Sequence, residues 1–412
     1  MRIRLELTGM KAIFTCLLYL VFFIPVTLAD DELTAFSRLH NAGLIVLDAK
    51  GRTALADHAD LPLIPASTTK LATAWMALTH WGEEYRFRTH FYLDESSKTL
   101  WIKGSGDPYL VSEELDAVAR SLKQRGLKHV NAIGIDTSLF QPDLVLPGTG
   151  ATDNPYDAVP SAVAANFNTI AIRKVGGQVL SAEALTPLTT YAVSIGDLIK
   201  SGELRINTGP NPHNAEKYFA ELLSAFLQKH GLSVGSEIVF GLVPDLAVFY
   251  THVNSKTLGE ILRSMLKYST NFIANQLILI LSSENYKRPA NAVDVQGYME
   301  ETLFKRFGWL NFSLVDGAGL SRTNRLSPQQ LTDLLQAFRS WKHLLPEIEP
   351  GIYAKSGTLG GVSALAGYLA NRGEWQPFAV IMNENVPYNL RNRIVQELYG
   401  RLSTNQLLPS QN

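Results

Sequence analysis

The sequence predicts an α/β fold with a large insertion in the middle of the chain. Three observations carry this. Gly351 to Asn383 (GIYAKSGTLGGVSALAGYLANRGEWQPFAVIMN) alternates glycine-rich turns with strand-like runs, as antiparallel strands of one sheet do. Helical patterns near both ends, IPASTTKLATAWMAL from Ile64 and NLRNRIVQELYGRL from Asn389, could pack on that sheet. The 412 residues, 46% hydrophobic and 18% charged, suffice for a sizeable core and more than one domain.

The first residues, MRIRLELTGMK, are basic; AIFTCLLYLVFFIPVTLA is apolar and ends in small residues; DDEL is abruptly acidic. That order reads as a secretory signal over residues 1–29, cut near Ala29, with an uncleaved anchor as the competing reading. Met10 opens a more usual signal, MKAIFTC. The single cysteine, Cys16, lies inside the apolar run, so the mature chain would hold none. Disulfides, thiol catalysis and cysteine-bound metals are thereby excluded, and an exported chain without disulfides suits a bacterial periplasm. A formal net charge of −1 and no basic stripe argue against nucleic-acid binding.

Further along, FRTHFYLDESSKTLWIKGSGDPYL reads as a β-hairpin turning at Asp94 to Ser97. SEELDAVARSLKQRGL is a helix stopped by Gly126, followed by the strand HVNAIGID. Gln141 to Asn168 is rich in turn residues and reads as ordered loop. AEKYFAELLSAFLQKHGL is a helix stopped by Gly231, and SEIVFGLV is a strand. TLGEILRSMLKYSTNFIANQLILIL is one long helix or two joined at Tyr268 to Asn271. Ser327-Pro-Gln-Gln330 has the capping-box pattern, serine as N-cap, proline next and glutamine at the third helical position.

Common catalytic signatures are missing: no GxSxG, HExxH, GxxxxGK[ST] or GxGxxG occurs, and the nine histidines lack metal-ligand spacing. No metal and no cofactor is expected. A serine can instead be activated by a lysine, through SxxK with later S-x-N and K-T-G motifs. The demand on the lysine is steep. With a free pKa near 10.4, only about one lysine in two thousand is neutral at pH 7, and correcting this takes roughly 4–5 kcal/mol of burial and nearby positive charge. Three-residue spacing on a helix brings serine and lysine onto one face, and the positive helix start disfavours the ammonium.

Each short motif recurs by chance here. SxxK occurs at Ser67/Lys70 and Ser264/Lys267, SxN at Ser269, Ser283, Ser403 and Ser410, and KSG at Lys200 and Lys355. Context separates them. Ser264 is interior to an amphipathic helix with Lys267 facing solvent, Lys200 sits in a charged turn, and Ser403 and Ser410 lie in the polar tail. Ser67 begins its helix, and Lys355 follows strand-like GIYA and precedes glycines. The surviving set, in chain order, is Ser67/Lys70, Ser269/Asn271 and Lys355/Gly357.

With those motifs and the longer blocks IKGSGDPYL, IGIDTSLF, NPYDAVPSAVAANFN, LGEILRSMLKYSTNFIANQL, VDGAGLSRTNRLSP and AKSGTLGGVSALAGY, the chain resembles the D-alanyl-D-alanine carboxypeptidase/endopeptidase family, the class C low-molecular-mass penicillin-binding proteins. The resemblance implies a penicillin-binding-protein/serine β-lactamase-like transpeptidase fold. Residues 30–87 and 255–412 would form the catalytic domain, and residues 88–254 an inserted accessory domain. It implies Ser67 as nucleophile, Lys70 as general base, Ser269 as proton relay and Asn271 as a substrate-amide holder that orients Lys70. Lys355, Ser356, Gly357 and Thr358 would bind the substrate's end, with the amides of Ser67 and Thr358 as oxyanion hole. Asp153 falls in the segment resembling the family's diaminopimelate-contacting loop and is a candidate specificity residue. Peptidoglycan stem peptides would be the substrate and β-lactam antibiotics the inhibitors, with no stable membrane span after signal cleavage. The serine of KSG keeps the hydroxyl of the usual threonine, and STN keeps its outer residues. The stretch from Lys70 to Ser269 is short for the family, with the loss between Gln178 and Pro212, so one trimmed accessory domain is expected. A β-lactamase-like hydrolase and a catalytically weak wall-binding protein are the competing readings.

Overall fold

The computed structural model describes residues 31–404. The signal-peptide reading, Cys16 and Ser410 lie outside them. The described residues begin with α1 (Glu32–Phe36), β1 (Ala42–Leu47), β2 (Thr53–Asp57) and α2 (Lys70–Trp81). Next come β3 (Arg88–Asp94), β4 (Thr99–Lys103), α3 (Ser112–Gln124), β5 (His129–Asp136), β6 (Thr169–Val175), β7 (Gln178–Ser181) and α4 (Thr190–Gly196). Then follow β8 (Gly202–Asn207), α5 (Pro212–Lys229), β9 (Ser233–Phe240), β10 (Val248–Val253), α6 (Leu258–Tyr268), α7 (Asn271–Tyr286), α8 (Ala292–Phe307) and α9 (Pro328–Ala337). β11 (Glu347–Glu349), β12 (Ile352–Leu359), β13 (Val362–Asn371), β14 (Glu374–Met382) and α10 (Leu390–Ser403) complete it.

One six-stranded antiparallel sheet, ordered β11-β12-β13-β14-β1-β2, joins the two ends of the chain. All six residues of β1 are buried, because alternate side chains of a central strand enter opposite cores. Leu44 and Val46 meet Leu390, Ile394 and Leu398 of α10, whereas Ile45 and Leu47 join the core built with α2, α6, α7 and α9. α7 is buried on every side from Asn271 to Ser283, the mark of a helix central to its layer. Its polar residues are therefore obliged to find internal partners.

Residues 88–253 build two further sheets. β10-β3-β4-β5-β9 is mixed, with β4, β5 and β9 parallel, and β7-β6-β8 is a small antiparallel sheet. Both contribute to one core with α3 and α5, in which Leu115, Val118, Leu222 and Phe226 pack among Phe91, Ile133, Ile172 and Ile206. The stretch expected to be trimmed, Gln178 to Pro212, carries β7, α4 and β8. A buried polar seam ties this unit to the approach of α6. His252 Nε2 lies 2.7 Å from Glu114, whose carboxylate also accepts from Ser255, and Asn254 donates to Asp107.

Local signals are realised as the residues suggest. Gly126 and Gly231 stop α3 and α5 with φ of 93° and 83°, and Ser327 and Gln330 form a reciprocal capping box on α9. The ambiguous stretch from Leu258 is two helices. Ser269 takes a left-handed conformation (φ 58°, ψ 38°) that ends α6, and Thr270 precedes α7 in extended conformation without a side-chain capping bond. One correction applies at Ser67. It does not start the α-helix but sits in a 3₁₀ turn, Ala66–Thr69, and the α-helix begins at Lys70. At three residues per turn, positions 67 and 70 eclipse, which aligns the two side chains more closely than an α-turn would.

Candidate active site

Three segments converge at the start of α2. Lys70 is fully buried, and its Nζ has three partners: Ser67 Oγ at 2.9 Å, Asn271 Oδ1 at 2.7 Å and the Ala318 carbonyl at 2.7 Å. Two of these are carbonyl oxygens that only accept; the third is a hydroxyl that can donate or accept. An ammonium donates to all three, and a neutral amine fits as well, donating to Asn271 and Ala318 and accepting from the Ser67 hydroxyl. Burial first, and then the charge of Lys355, hold the Lys70 pKa well below the ordinary lysine value, with Asp316 opposing them. No carboxylate pairs with Lys70 among the described residues.

Asn271, first residue of α7, is fixed in orientation because its Nδ2 donates to the Tyr156 carbonyl at 3.0 Å, which leaves Oδ1 for Lys70. The loop carrying Tyr156 thus reaches the site through backbone. Ser269 is half-buried in the strained joint two residues earlier, and its hydroxyl makes no hydrogen bond to Lys70 in this structure. Asp153 stands exposed on the Tyr156 loop, which is anchored where the Asn207 amide donates to the Asp153 carbonyl, 2.9 Å. Its carboxylate makes no hydrogen bond to the Lys70 cluster.

The third motif lies on β12. Lys355 is 1% exposed and its Nζ donates to the Ser356 carbonyl at 2.7 Å. Burial, then the Arg391 charge, lower its pKa to about 8. Gly357 packs directly on the Ser67 turn: a β-carbon there would lie 2.7 Å from the Pro65 carbonyl and 3.0 Å from the Ser67 amide. This is why the third motif residue is glycine. Ser356 is half-buried and Thr358 is exposed at the same strand edge. The rejected matches stay apart. Lys267 is exposed over the Tyr268 ring, Lys200 is exposed, and Ser283 is committed to the Arg288 carbonyl.

The loop from Asp316 to Asn324, part of the block VDGAGLSRTNRLSP, was given no role by its sequence. Asp316 is completely buried, and its carboxylate accepts from the amides of Ala318, Gly319, Leu320 and Ser321 and from Asn324 Nδ2. Such a cage fixes the Ala318 carbonyl on Lys70. The Gly317 amide donates to Asn275 Oδ1, and Thr73 donates to the Gly317 carbonyl, so α2 and α7 both grip the loop. The legible signal was the D-G-A-G-L-S run, a turn-forming composition with an aspartate able to bond the amides that follow it. Arg391 was also missed; it reaches from α10 to the Gly357 carbonyl and the Thr358 hydroxyl.

Two expectations follow. Gly319 has φ +80°, and a β-carbon there would lie 1.9 Å from the Ala66 carbonyl. Gly319→Ala should displace the loop from the Ser67 turn, lower stability by more than about 1 kcal/mol and slow acylation of Ser67 at least tenfold. Acylation at wild-type rate, followed by stopped-flow, would contradict this packing. The second concerns pH. With Lys70 as base, acylation should be lost as pH falls through its lowered pKa and be level above it, well short of the free-lysine range. A rate still climbing near pH 10 would contradict the assignment. The same shift makes Lys70 a cost to stability that shrinks as pH rises, because the unfolded chain binds the extra proton.

The D-Ala-D-Ala carboxypeptidase 3 (S13) family model matches residues 26–192 and 210–349. The chain is 26% identical to the D-alanyl-D-alanine carboxypeptidase DacB of Haemophilus influenzae over 83% of this chain and 85% of that one. It is 24% identical to the D-alanyl-D-alanine carboxypeptidase of Actinomadura sp., covering 83% and 77%. The crystal structure of penicillin binding protein 4 from Haemophilus influenzae superposes with a TM-score of 0.73 at 22% identity, over 88% of this chain and 96% of that one, and shares its α/β fold. With well over half of its length matched, the chain belongs to the D-Ala-D-Ala carboxypeptidase 3 (S13) peptidase family.

Proposed function

We propose that the protein is a serine DD-peptidase that hydrolyses the terminal D-Ala-D-Ala bond of peptidoglycan stem peptides through an acyl-enzyme on Ser67. The observation that carries this is the buried Lys70 amine bonded to Ser67, with the Lys355 strand edge packed on the same turn. Lys70 takes the Ser67 proton as Oγ attacks the carbonyl carbon of the penultimate D-alanine. The oxyanion is received by the amides of Ser67 and Thr358, each donor typically worth about 3–4 kcal/mol. As the C–N bond breaks, Ser269 passes the proton held by Lys70 to the nitrogen of the departing D-alanine. Water then attacks the ester, with Lys70 again accepting a proton, and Ser67 is regenerated. The covalent route divides one difficult amide cleavage into two easier steps.

Asn271 orients Lys70 and holds the substrate amide, while Lys355, Ser356 and Thr358 receive the terminal carboxylate beside Gly357. Residues 30–87 and 255–412 act as the catalytic domain. Residues 88–254 act as the insertion that governs access of cross-linked peptides, with Asp153 as a contact to the stem peptide's side chain. The same serine would take β-lactam antibiotics as acylating inhibitors. A periplasmic site after removal of residues 1–29 suits the substrate and the cysteine-free mature chain. Among the described residues no helix is long and apolar enough to cross a membrane.

A fluorescent penicillin should form a long-lived covalent adduct with the protein, lost in Ser67→Ala and kept in Ser264→Ala, and a D-Ala-D-Ala peptide should release D-alanine. Rapid turnover of the penicillin would point to a β-lactamase-like hydrolase instead. No adduct and no D-alanine would point to a wall-binding protein and overturn the proposal.

A further inference from the structure

The Lys355 end of the cleft holds two cations and no anion paired with either. Among the described residues, neither Lys355 nor Arg391 takes part in an ion pair. Lys355 is spent on one backbone carbonyl. Arg391, half-buried at the start of α10, donates through Nη1 to the Gly357 carbonyl at 2.7 Å and to Thr358 Oγ1 at 2.8 Å, with a longer contact to the Ala364 carbonyl at 3.4 Å. Its Nε makes only a 3.4 Å contact to Asn392 Oδ1, and its Nη2 has no protein acceptor among the described residues. The crevice between Thr358 and Tyr388 contains one carboxylate, Glu384. That carboxylate is occupied by the amides of His40 and Asn41.

Two consequences follow from the donor set. Thr358 Oγ1 accepts from Arg391, so its own hydrogen is left to donate, and Thr358 is exposed at the strand edge. A guanidinium that is desolvated without a carboxylate retains a strong preference for one, because its fork matches carboxylate geometry. The charge of Arg391 also disfavours the charged form of Lys355, so an arriving anion relieves both at once.

We infer that Arg391 is a specificity residue for the free α-carboxylate of the substrate: it aims the Thr358 hydroxyl at that carboxylate and supplies, with Lys355, the positive charge that selects it. The inference rests on the DD-peptidase reading. It extends the carboxylate site from one strand to the C-terminal helix, so that α10 takes part in choosing the substrate. An internal peptide bond offers no carboxylate at this position, so the residue favours chain ends.

The test compares an acyl-D-Ala-D-Ala peptide with the same peptide ending in a carboxamide, in wild type, Arg391→Gln, Arg391→Lys and Thr358→Val. Arg391→Gln should cost the acid-ended substrate roughly ten- to a hundredfold more in kcat/KM than the amide-ended one, the range of a lost charge-assisted hydrogen bond, and chiefly through KM. Arg391→Lys should recover part of that preference, and Thr358→Val should lose preference non-additively with Arg391→Gln. Equal losses on both substrates, or a loss in kcat alone, would make Arg391 a brace for β12 and overturn the inference. If Arg391→Gln does not fold, the preference in Arg391→Lys and Thr358→Val decides the matter alone. Wild-type protein inactive on both substrates would overturn the DD-peptidase reading and this inference with it.

Discussion

One buried amine organises this molecule. Lys70 has no exposed surface and, among the described residues, no carboxylate partner, and is held by two carbonyl oxygens and one hydroxyl. A buried lysine is tolerated only when it is paired, hydrogen-bonded or neutral. Here the three partners accommodate either form, and burial together with the charge of Lys355 shifts the balance toward the neutral amine, whose lone pair could then accept from Ser67. Chemistry and stability therefore pull against each other at the same atom.

The surrounding architecture can be understood as what it takes to hold that arrangement. α2 presents Lys70, α7 brings Asn271, the Asp316 loop brings the Ala318 carbonyl, and β12 lies against the Ser67 turn. Left-handed residues occur at the contacts, Ala66 beside Ser67 and Ser269 between α6 and α7. Each costs of order 1 kcal/mol or more and persists because packing on both sides fixes it. The buried Asp316 stabilises its loop through five donors, and its negative charge partly offsets the positive charge of Lys355 at Lys70. At Lys70 the site balances the cation of Lys355 against an anion that keeps the loop folded.

What could be read from the sequence was local. The glycine stops of α3 and α5, the capping box at Ser327 and the strands around Lys355 depend on neighbouring residues, and they appear where the residues place them. Ser67, Lys70 and Asn271 were legible because reactive side chains recur at short spacing, and the structure brings these three together. The Ala318 and Tyr156 carbonyls were not legible, since a backbone oxygen carries no residue identity. Arg391 was hidden in a helix whose other charged residues, Arg393, Glu397 and Arg401, tie it to the start of α1 and carry no catalytic motif. The parallel pairing of β4, β5 and β9 and the addition of β8 to β6 join residues distant in sequence and left no local mark, whereas the β6–β7 hairpin turns on Gly176-Gly177, a local signal that was overlooked. The 3₁₀ turn at Ser67 was missed for a different reason: the left-handed Ala66 and the close approach of Gly357 are imposed by β12, not by Ile-Pro-Ala-Ser.

The most direct measurement is titration of the Lys70 side chain itself, by the ¹³Cε and ¹⁵Nζ shifts of lysine-labelled protein, assigned with Lys70→Arg. Lys70 should titrate well below the ordinary lysine range and be largely neutral at the pH where Ser67 is acylated. A Lys70 signal that stays protonated until the ordinary lysine range would contradict it.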